Sequence, residues 1–316
     1  MRTETDPPAT TRRRLLGRAL CASPWLLLSG CAAPWPDLPT VHGADGSSSA
    51  LQHLRSTAQS QGLAAWRGMQ DLSLTLSDTY WPPAGLLRSG ATAATAMPLE
   101  LRLLPSAGSL ALRHEPLEGG GRAPHQLHQA QPGGRVHAWS GGLPVADEAP
   151  GRGAAVVADL HRLLLLGAIA LAEHPGPVHW AEPVTLDGRR CDHLHLLLQP
   201  GLGGGADRLS LFIDRDQGRL RRLRVSLTGL GLALDLPLEV NLSEHRRLHG
   251  LLWPGRWSAT APTVLPGRPP PSWVLLALDI NRGYVAADLA QSPWAGRAAT
   301  SPSPLPLPPL PPLLPS

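Results

Sequence analysis

The thiols are the most informative reactive groups of this 316-residue chain, which holds three cysteines. Cys31 directly follows Ser29 and Gly30, and these small residues come after three consecutive arginines and an apolar run over 19–28. A basic region, a short apolar region and small residues form the order of an export signal with its cleavage point. The apolar run is too short to span a bilayer as a helix. The sequence therefore predicts a signal peptide over 1–30 and a mature protein that begins at Cys31.

The stretch 28–31, Leu-Ser-Gly-Cys, resembles a bacterial lipobox. The resemblance implies that Cys31 is lipidated, with palmitate among its acyl chains, and that the protein is anchored in the cell envelope facing the periplasm. The alternative is an ordinary secretory signal that contains a cysteine by chance. Ala32 stands where an aspartate retains lipoproteins in the inner membrane, so it favours the outer membrane. Residues 11–16 resemble a twin-arginine export motif, with simple basic charge as the alternative.

The remaining cysteines offer little further chemistry. Cys21 leaves with the signal peptide, so acylation of Cys31 would leave Cys191 without a partner for an intramolecular disulfide. Cys191 stands at the head of an apolar strand, and we interpret it as a buried, unreactive thiol rather than a reactive one.

His193 and His195 are two residues apart on a predicted strand, so they share a face and could bind a metal together. The neighbouring leucines mark the opposite face as buried, so we expect both imidazoles to face solvent, or a cavity if the apolar face packs outward. No cysteine or carboxylate completes a ligand set at tight spacing. Nucleophile-elbow, phosphate-loop and dinucleotide motifs do not occur, and lysine is absent from the chain. The sequence predicts no metal, no cofactor, no catalytic residue and no enzymatic activity.

Charge excludes nucleic acid as a partner. The predicted signal carries five of the 28 basic and two of the 24 acidic side chains, so the predicted mature protein is nearly neutral. Arginines 219, 221, 222 and 224 form a basic run on one hairpin. A solvated face explains such a run, and contact with anionic lipid headgroups is the alternative.

Alternating apolar and polar residues predict antiparallel strands over much of 72–280. Asp187-Gly188 predicts a tight hairpin between strands over 178–186 and 189–198, and 216–218 predicts a second turn. Pro237 indicates an edge strand or a bulge. Serines 47–49 predict the cap of a helix over about 50–60, and an apolar stripe predicts one helix over 153–173.

The turn motifs of the C-terminal half, from Leu186–Arg189 through Glu244–Pro254 to Leu278–Asn281, resemble the lipoprotein carrier and its outer-membrane receptor (LolA/LolB-like). The resemblance covers roughly 66–290. It implies an α+β fold, mainly β, with a single strongly curved antiparallel sheet of about ten or eleven strands. This incomplete β-barrel carries two helices on its concave face and an apolar cavity that holds acyl chains. The expected organisation is a signal peptide over 1–30, a tether over 31–46, a half-barrel domain over 47–291 and a disordered Pro-rich tail over 292–316.

The expected ligand is a lipid or another hydrophobic small molecule, held in a pocket of a few hundred cubic ångströms. Ordinary core packing is the alternative for each tryptophan, and an idle tail or a partner-binding tail are the alternatives for the Pro-rich segment. The competing functions are a structural or interaction lipoprotein with an envelope protein partner and, less favoured, an envelope enzyme. The candidate cavity residues are Leu160, Leu163, Leu164, Leu171, Trp139, Trp180, Trp253 and Trp257.

Overall fold

The computed structural model describes residues 44–79, 97–114, 125–145, 150–173, 176, 178–228, 237–260, 272–292 and 294. The predicted signal peptide, Cys31 and almost all of the Pro-rich tail lie outside these residues. The helices are α1 (Ala44–Gln61), α2 (Leu63–Arg67), α3 (Pro150–Leu166), α4 (Ala168–Glu173) and α5 (Ala286–Leu289), with a 3₁₀ turn at Leu202–Gly204. The strands are β1 (Leu72–Thr79), β2 (Met97–Leu104), β3 (Ser109–His114), β4 (His125–Gln129), β5 (Val136–Ser140), β6 (Leu143–Pro144), β7 (Val178–Leu186), β8 (Arg189–Leu198), β9 (Asp207–Asp214), β10 (Leu220–Val225), β11 (Leu238–Ser243), β12 (Arg246–Leu248), β13 (Leu251–Trp253), β14 (Arg256–Thr260) and β15 (Ser272–Ile280).

Thirteen of the described strands form one curved, open antiparallel sheet in the order β6-β5-β4-β3-β2-β1-β15-β14-β11-β10-β9-β8-β7. Strand β15 pairs with β1, which joins the two ends of the folded chain at the middle of the sheet. Strands β12 and β13 form a separate hairpin. The predicted fold class is confirmed, but the strand number of ten or eleven is too low. The short strands β4, β5 and β6 carry too few apolar residues to alternate clearly, so their sequences indicate no strand.

Both predicted hairpin turns are confirmed. Asp187 and Gly188 have φ angles of 50° and 76° between β7 and β8, which is the pattern of a type I′ turn. Gly218 has a φ of 59° in the turn between β9 and β10. For Pro237 the edge-strand alternative is wrong, because β11 begins just after it and pairs on both sides. The other alternative, a bulge, falls largely on residues outside the described ranges. Proline lacks an N–H, and its place before the first paired residue costs no ladder hydrogen bond.

Two features of the helices differ from the predictions. Helix α1 begins at Ala44, so the three serines lie inside its first turns and do not cap it. The predicted single helix over 153–173 is two helices, α3 and α4, because Gly167 has a φ of +51°. A Cβ on Gly167 would lie 3.0 Å from Leu220 Cδ2, so the break also allows a close approach to β10. Among the described residues, no helix has both the length and the hydropathy to cross a membrane.

The core lies between the concave face of the sheet and helices α1, α3 and α4. Leu54 and Leu160 on the helices and Leu74 and Leu211 on the strands are fully buried in one apolar cluster. Each such leucine stabilises the fold by roughly 1.5–3 kcal/mol of transfer free energy. The alternating strands therefore bury one face under amphipathic helices, as the resemblance implied.

A buried ion pair fastens α3 to the turns at one end of the core. Asp159 accepts hydrogen bonds from Arg162 Nη1 at 2.8 Å, Gly133 N at 3.1 Å and Gly203 N at 2.9 Å. Arg162 Nη2 donates to Gly108 O at 2.9 Å. These bonds join the helix to three separate turns and give both buried charges partners, although Arg162 Nε has no acceptor among the described residues.

A second buried aspartate fastens the C-terminal segment. Asp71 accepts hydrogen bonds from the backbone N–H groups of residues 282, 283 and 284. The Arg102 guanidinium lies 4.3 Å from the ring centroid of Tyr284 and 4.6 Å from that of Trp294. Trp294 is buried in a small apolar cluster with Leu104, Ala111 and Leu289.

Candidate functional site

A small cavity lies where the α3–α4 break meets the sheet and the β12–β13 hairpin. Its volume is about 20 Å³, which is room for about one water molecule. Most of the lining residues have apolar side chains, and polar atoms supply almost half of the lining surface. The lining residues are Gln61, Leu164, Leu165, Leu166, Gly167, Ile169, Leu220, Leu242, His245, Leu251, Leu252, Trp253 and Pro254.

Trp253, one of the lining residues, carries a buried hydrogen-bond donor next to this cavity. Its side chain is 2% exposed, and its indole Nε1 has no acceptor among the described residues. A buried, unsatisfied N–H costs about 1–3 kcal/mol, so most buried tryptophans have an acceptor. Trp257 is such a case, because its Nε1 donates to Leu164 O at 2.9 Å in the last turn of α3. The Trp253 N–H is therefore an unsatisfied buried donor beside the cavity, and its nitrogen is not accessible from the cavity as it stands.

The eight predicted cavity residues do not form one site. Leu164 and Trp253 line the cavity, whereas Leu160, Leu163, Leu171 and Trp257 are packed in the core. The other two residues lie elsewhere. Trp180 is 38% exposed and donates to Ser49 Oγ, and Trp139 is half-buried on β5 next to His137.

Sequence reasoning missed most of the lining. Leu165, Leu166 and Ile169 flank Gly167, and Leu242 and Leu251 come from strands remote in sequence. Gly167 within the apolar stripe was the available signal, since glycine weakens a helix and marks positions that need positive φ. The cavity at this site is also far smaller than the expected few hundred cubic ångströms, because leucine side chains from both sides fill the space between helix and sheet.

The cavity has a basic neighbourhood. His245 lines it, and burial first, then the charge of Arg219, lowers the pKa of His245 to about 4. The imidazole is therefore neutral at pH 7. Leu220, the residue between Arg219 and Arg221, also lines the cavity.

His193 and His195 do not face solvent, which corrects the prediction. They are 7% and 3% exposed, and their ring centroids lie 4.3 Å apart. Phe212 stacks on His193 at 4.3 Å, and Ser210 Oγ lies 2.8 Å from His195 Nδ1. Side chains of β9 thus cover this face of β8, which the alternation of β8 alone does not reveal. Burial, followed by the neighbouring His195, lowers the pKa of His193 to about 4.

Neither the histidine pair nor the thiol belongs to a recognisable reactive centre. In the part of the chain that the structure describes, no group of three His, Cys, Asp or Glu side chains is placed to hold a metal. Cys191 is fully buried, and burial raises the pKa of its thiol. A buried thiol with a raised pKa is a poor nucleophile, in agreement with the interpretation made from the sequence.

The basic run divides into two parts. Arg222 and Arg224 form ion pairs with Glu239 on the next strand, at 3.7 and 3.3 Å, and Arg222 Nε also donates to Asn241. This part of the run is a cross-strand network on the sheet surface. Arg219 and Arg221 lie at the other end of the hairpin, next to the buried Asp214.

Comparisons with known proteins place the chain in no family. No model of a protein family matches the sequence, and no curated protein matches it. A solved DUF1329 family protein from Desulfovibrio piger is 12% identical, with 77% of this chain and 97% of that one covered and a TM-score of 0.42. The Mycobacterium tuberculosis lipoprotein LppX is 13% identical, with 58% and 90% covered and a TM-score of 0.22. Likeness at this level carries no argument about function, and the resemblance to the lipoprotein carrier and receptor stays a prediction.

Proposed function

We propose that this chain is a non-enzymatic lipoprotein of the bacterial envelope that binds or relays a lipid or another hydrophobic molecule. In this proposal acylated Cys31 anchors it, most simply in the outer membrane, and the folded domain faces the periplasm. The observation that carries the proposal is the apolar cavity at the α3–α4 break, together with the buried Trp253 N–H that has no acceptor among the described residues. An amphiphile has an apolar chain that matches the apolar lining residues and a hydrogen-bond acceptor that would pair with the Trp253 N–H once the helices move.

Binding an acyl chain requires the helices to move. The cavity of about 20 Å³ holds no chain, so a ligand must separate α4 and the end of α3 from the sheet. Each methylene buried there contributes about 0.8 kcal/mol, which offsets the contacts that the helices lose. The break at Gly167 makes this step local, because α4 is only six residues long and can shift without α3.

The second candidate function is a structural or interaction lipoprotein. The packing of the core favours it, because leucines from helices and strands fill the concave face that a carrier would leave open. In that case the cavity is a packing defect, and an envelope protein binds the outer surface of the domain.

Binding of a fluorescent fatty acid separates the two functions. The full chain carrying Cys31→Ser is used, so that its own acyl chains do not compete with the probe. Leu165 lines the cavity, and Leu165→Phe should fill it and weaken binding by about tenfold or more, since overpacking costs about 1–3 kcal/mol.

Leu160→Phe is the matched control. Leu160 is fully buried on the same helix but does not line the cavity, so the substitution adds the same volume elsewhere. It should leave affinity for the probe unchanged once both variants are shown to be folded by circular dichroism. If the parent chain binds no probe, or if both variants lose affinity equally, the carrier proposal is wrong and the second candidate stands.

A further inference from the structure

Arginines cluster at one end of the sheet, where three consecutive connections lie side by side. The β7–β8 turn, the β9–β10 turn and the segment from β11 to β14 all lie at this end. Residues 187–192, 214–221 and 244–256 hold eight arginines against five carboxylates. We name the arginines of the first two connections the arginine rim: Arg189, Arg190, Arg215, Arg219 and Arg221.

Asp192 accepts a hydrogen bond from Arg215 Nε, but the carboxylates of these turns do not use up the donors of the rest of the rim. Asp214 is fully buried, and its Oδ1 accepts the backbone N–H groups of Asp216 and Gln217. Arg189 Nη1 and Arg221 Nη1 lie 3.8 and 3.7 Å from its Oδ2, beyond hydrogen-bond distance. The charge of Asp214 therefore attracts both guanidiniums, whose N–H groups have no hydrogen-bond acceptor among the described residues.

Repulsion within the rim points the same way. Arg219 Nε is buried and has no acceptor among the described residues. Burial and then the positive charges of Arg221 and Arg189 lower the pKa of Arg219, with Asp214 opposing them. Three guanidiniums thus share one carboxylate, and an added anion would relieve their repulsion.

The rim is open to a large binding partner. A cleft of about 570 Å³ lies at the two hairpin tips, lined by Asp187, Gly188, Arg189, Arg190, Arg215 and Asp216. Arg189 is 44% exposed at this cleft. Phosphate oxygens match the forked donors of arginine in pairs, so a phosphate group suits the three arginines of this cleft, which outnumber its two aspartates.

We propose that the arginine rim docks on the phosphate headgroups of an anionic phospholipid membrane. This step rests on the proposed anchor at Cys31: the thirteen residues from Cys31 to the start of α1 span at most about 45 Å when fully extended, so the anchored membrane would be within reach. The rim also adjoins the cavity through Leu220 and His245. Docking would bring that cavity to the lipid surface, but it does not require that the cavity binds lipid.

Vesicle binding of the full chain carrying Cys31→Ser tests the proposal. Sedimentation with vesicles of phosphatidylcholine alone is compared with equal parts of phosphatidylcholine and phosphatidylglycerol. We expect binding only to the anionic vesicles. Each arginine near an anionic surface raises the binding affinity by a factor of about five. The triple variant Arg189→Gln, Arg190→Gln and Arg219→Gln should therefore weaken binding by about 100-fold. Arg221 is kept, so that Asp214 retains a neighbouring charge.

The matched control combines Arg55→Gln, Arg135→Gln and Arg208→Gln. These arginines are exposed and lie outside the rim, so the control loses the same net charge. Binding that the control retains and the rim variant loses would support the proposal. Equal loss in both, or no loss in the rim variant, would overturn it.

A replacement variant and a competition measurement complete the test. If the triple variant does not fold, Arg190→Glu replaces it, because Arg190 is exposed and its side chain contacts no carboxylate among the described residues. Added inorganic phosphate is the second measurement. If phosphate releases the protein from the vesicles at an ionic strength at which chloride does not, the rim is a site for soluble phosphate, and the membrane assignment is wrong.

Discussion

Replacing Asp159 with alanine should strongly destabilise the domain, because this buried carboxylate ties helix α3 to two turns. The carboxylate is 7% exposed and accepts three hydrogen bonds, one from Arg162 and two from the backbone of separate turns. Alanine leaves a guanidinium that is 9% exposed without its counter-ion. Breaking a buried pair in this way costs about 3–5 kcal/mol.

The two orphaned N–H groups, of Gly133 and Gly203, add to this cost. Each would cost about 1–3 kcal/mol if it stayed dry, and less where water reaches the turn. We therefore expect Asp159→Ala to lower the free energy of unfolding by about 4 kcal/mol or more, a large part of the 5–15 kcal/mol of a typical domain. Arg162→Met should cost about half as much, because the remaining carboxylate keeps both backbone donors and methionine fills the space of the arginine stem.

Urea denaturation followed by tryptophan fluorescence measures these differences. Asp216→Ala, at an exposed turn position, is the control and should change stability by no more than about 0.5 kcal/mol. The double variant should lose less than the sum of the two single losses, since the pair is coupled. A greater loss for Arg162→Met than for Asp159→Ala, or a loss near the control value for both, would refute this account of the network.

Three further predictions concern the turn, the buried histidines and the anchor. Gly188→Val should lower the free energy of unfolding by about 1 kcal/mol in the same assay, because a φ of 76° is unfavourable for a β-branched residue. Steric overlap does not contribute, since a Cβ built on Gly188 meets no atom within 4 Å, and an unchanged denaturation midpoint would contradict the prediction. Burial lowers the pKa of His161 from 6.5 to about 4, so the stability that depends on its neutral form is complete above pH 6.5 and is lost as the pH falls to about 4. At pH 5 the unfolded chain therefore binds about one more proton at His161 than the folded chain does, and His161→Leu should abolish this proton uptake. The pH dependence of the unfolding free energy measures the uptake, and an unchanged value would count against the prediction. Cys31→Ser should leave unprocessed precursor and abolish membrane anchoring in cell fractionation with mass spectrometry, whereas unchanged mass and fractionation would show that Cys31 is not acylated.

The sequence pattern was sufficient to predict features that depend on residues close together in the sequence. Alternation in 72–76, 99–103 and 209–213 correctly predicted strands, because the residues of a strand point alternately to opposite faces. Asp187-Gly188 located its hairpin to the residue, since few residue pairs adopt two successive positive φ angles. The fold class follows from these local patterns, because strands with one apolar face must be covered by the amphipathic helices between them.

The candidate site and the arginine rim depend on residues that are far apart in sequence, and only the tertiary structure decided them. The alternation of β8 predicted solvent-exposed histidines, but Phe212 from β9 covers His193. The apolar stripe predicted one helix, but the approach of Leu220 to Gly167 accompanies a break and places the cavity there. Trp253 and Trp257 are equivalent by pattern, yet only Trp257 reaches the free carbonyl of Leu164. Residue type and spacing determine on which face of its strand or helix a side chain lies. The packing of strands and helices that are remote in sequence determines which residues that face contacts.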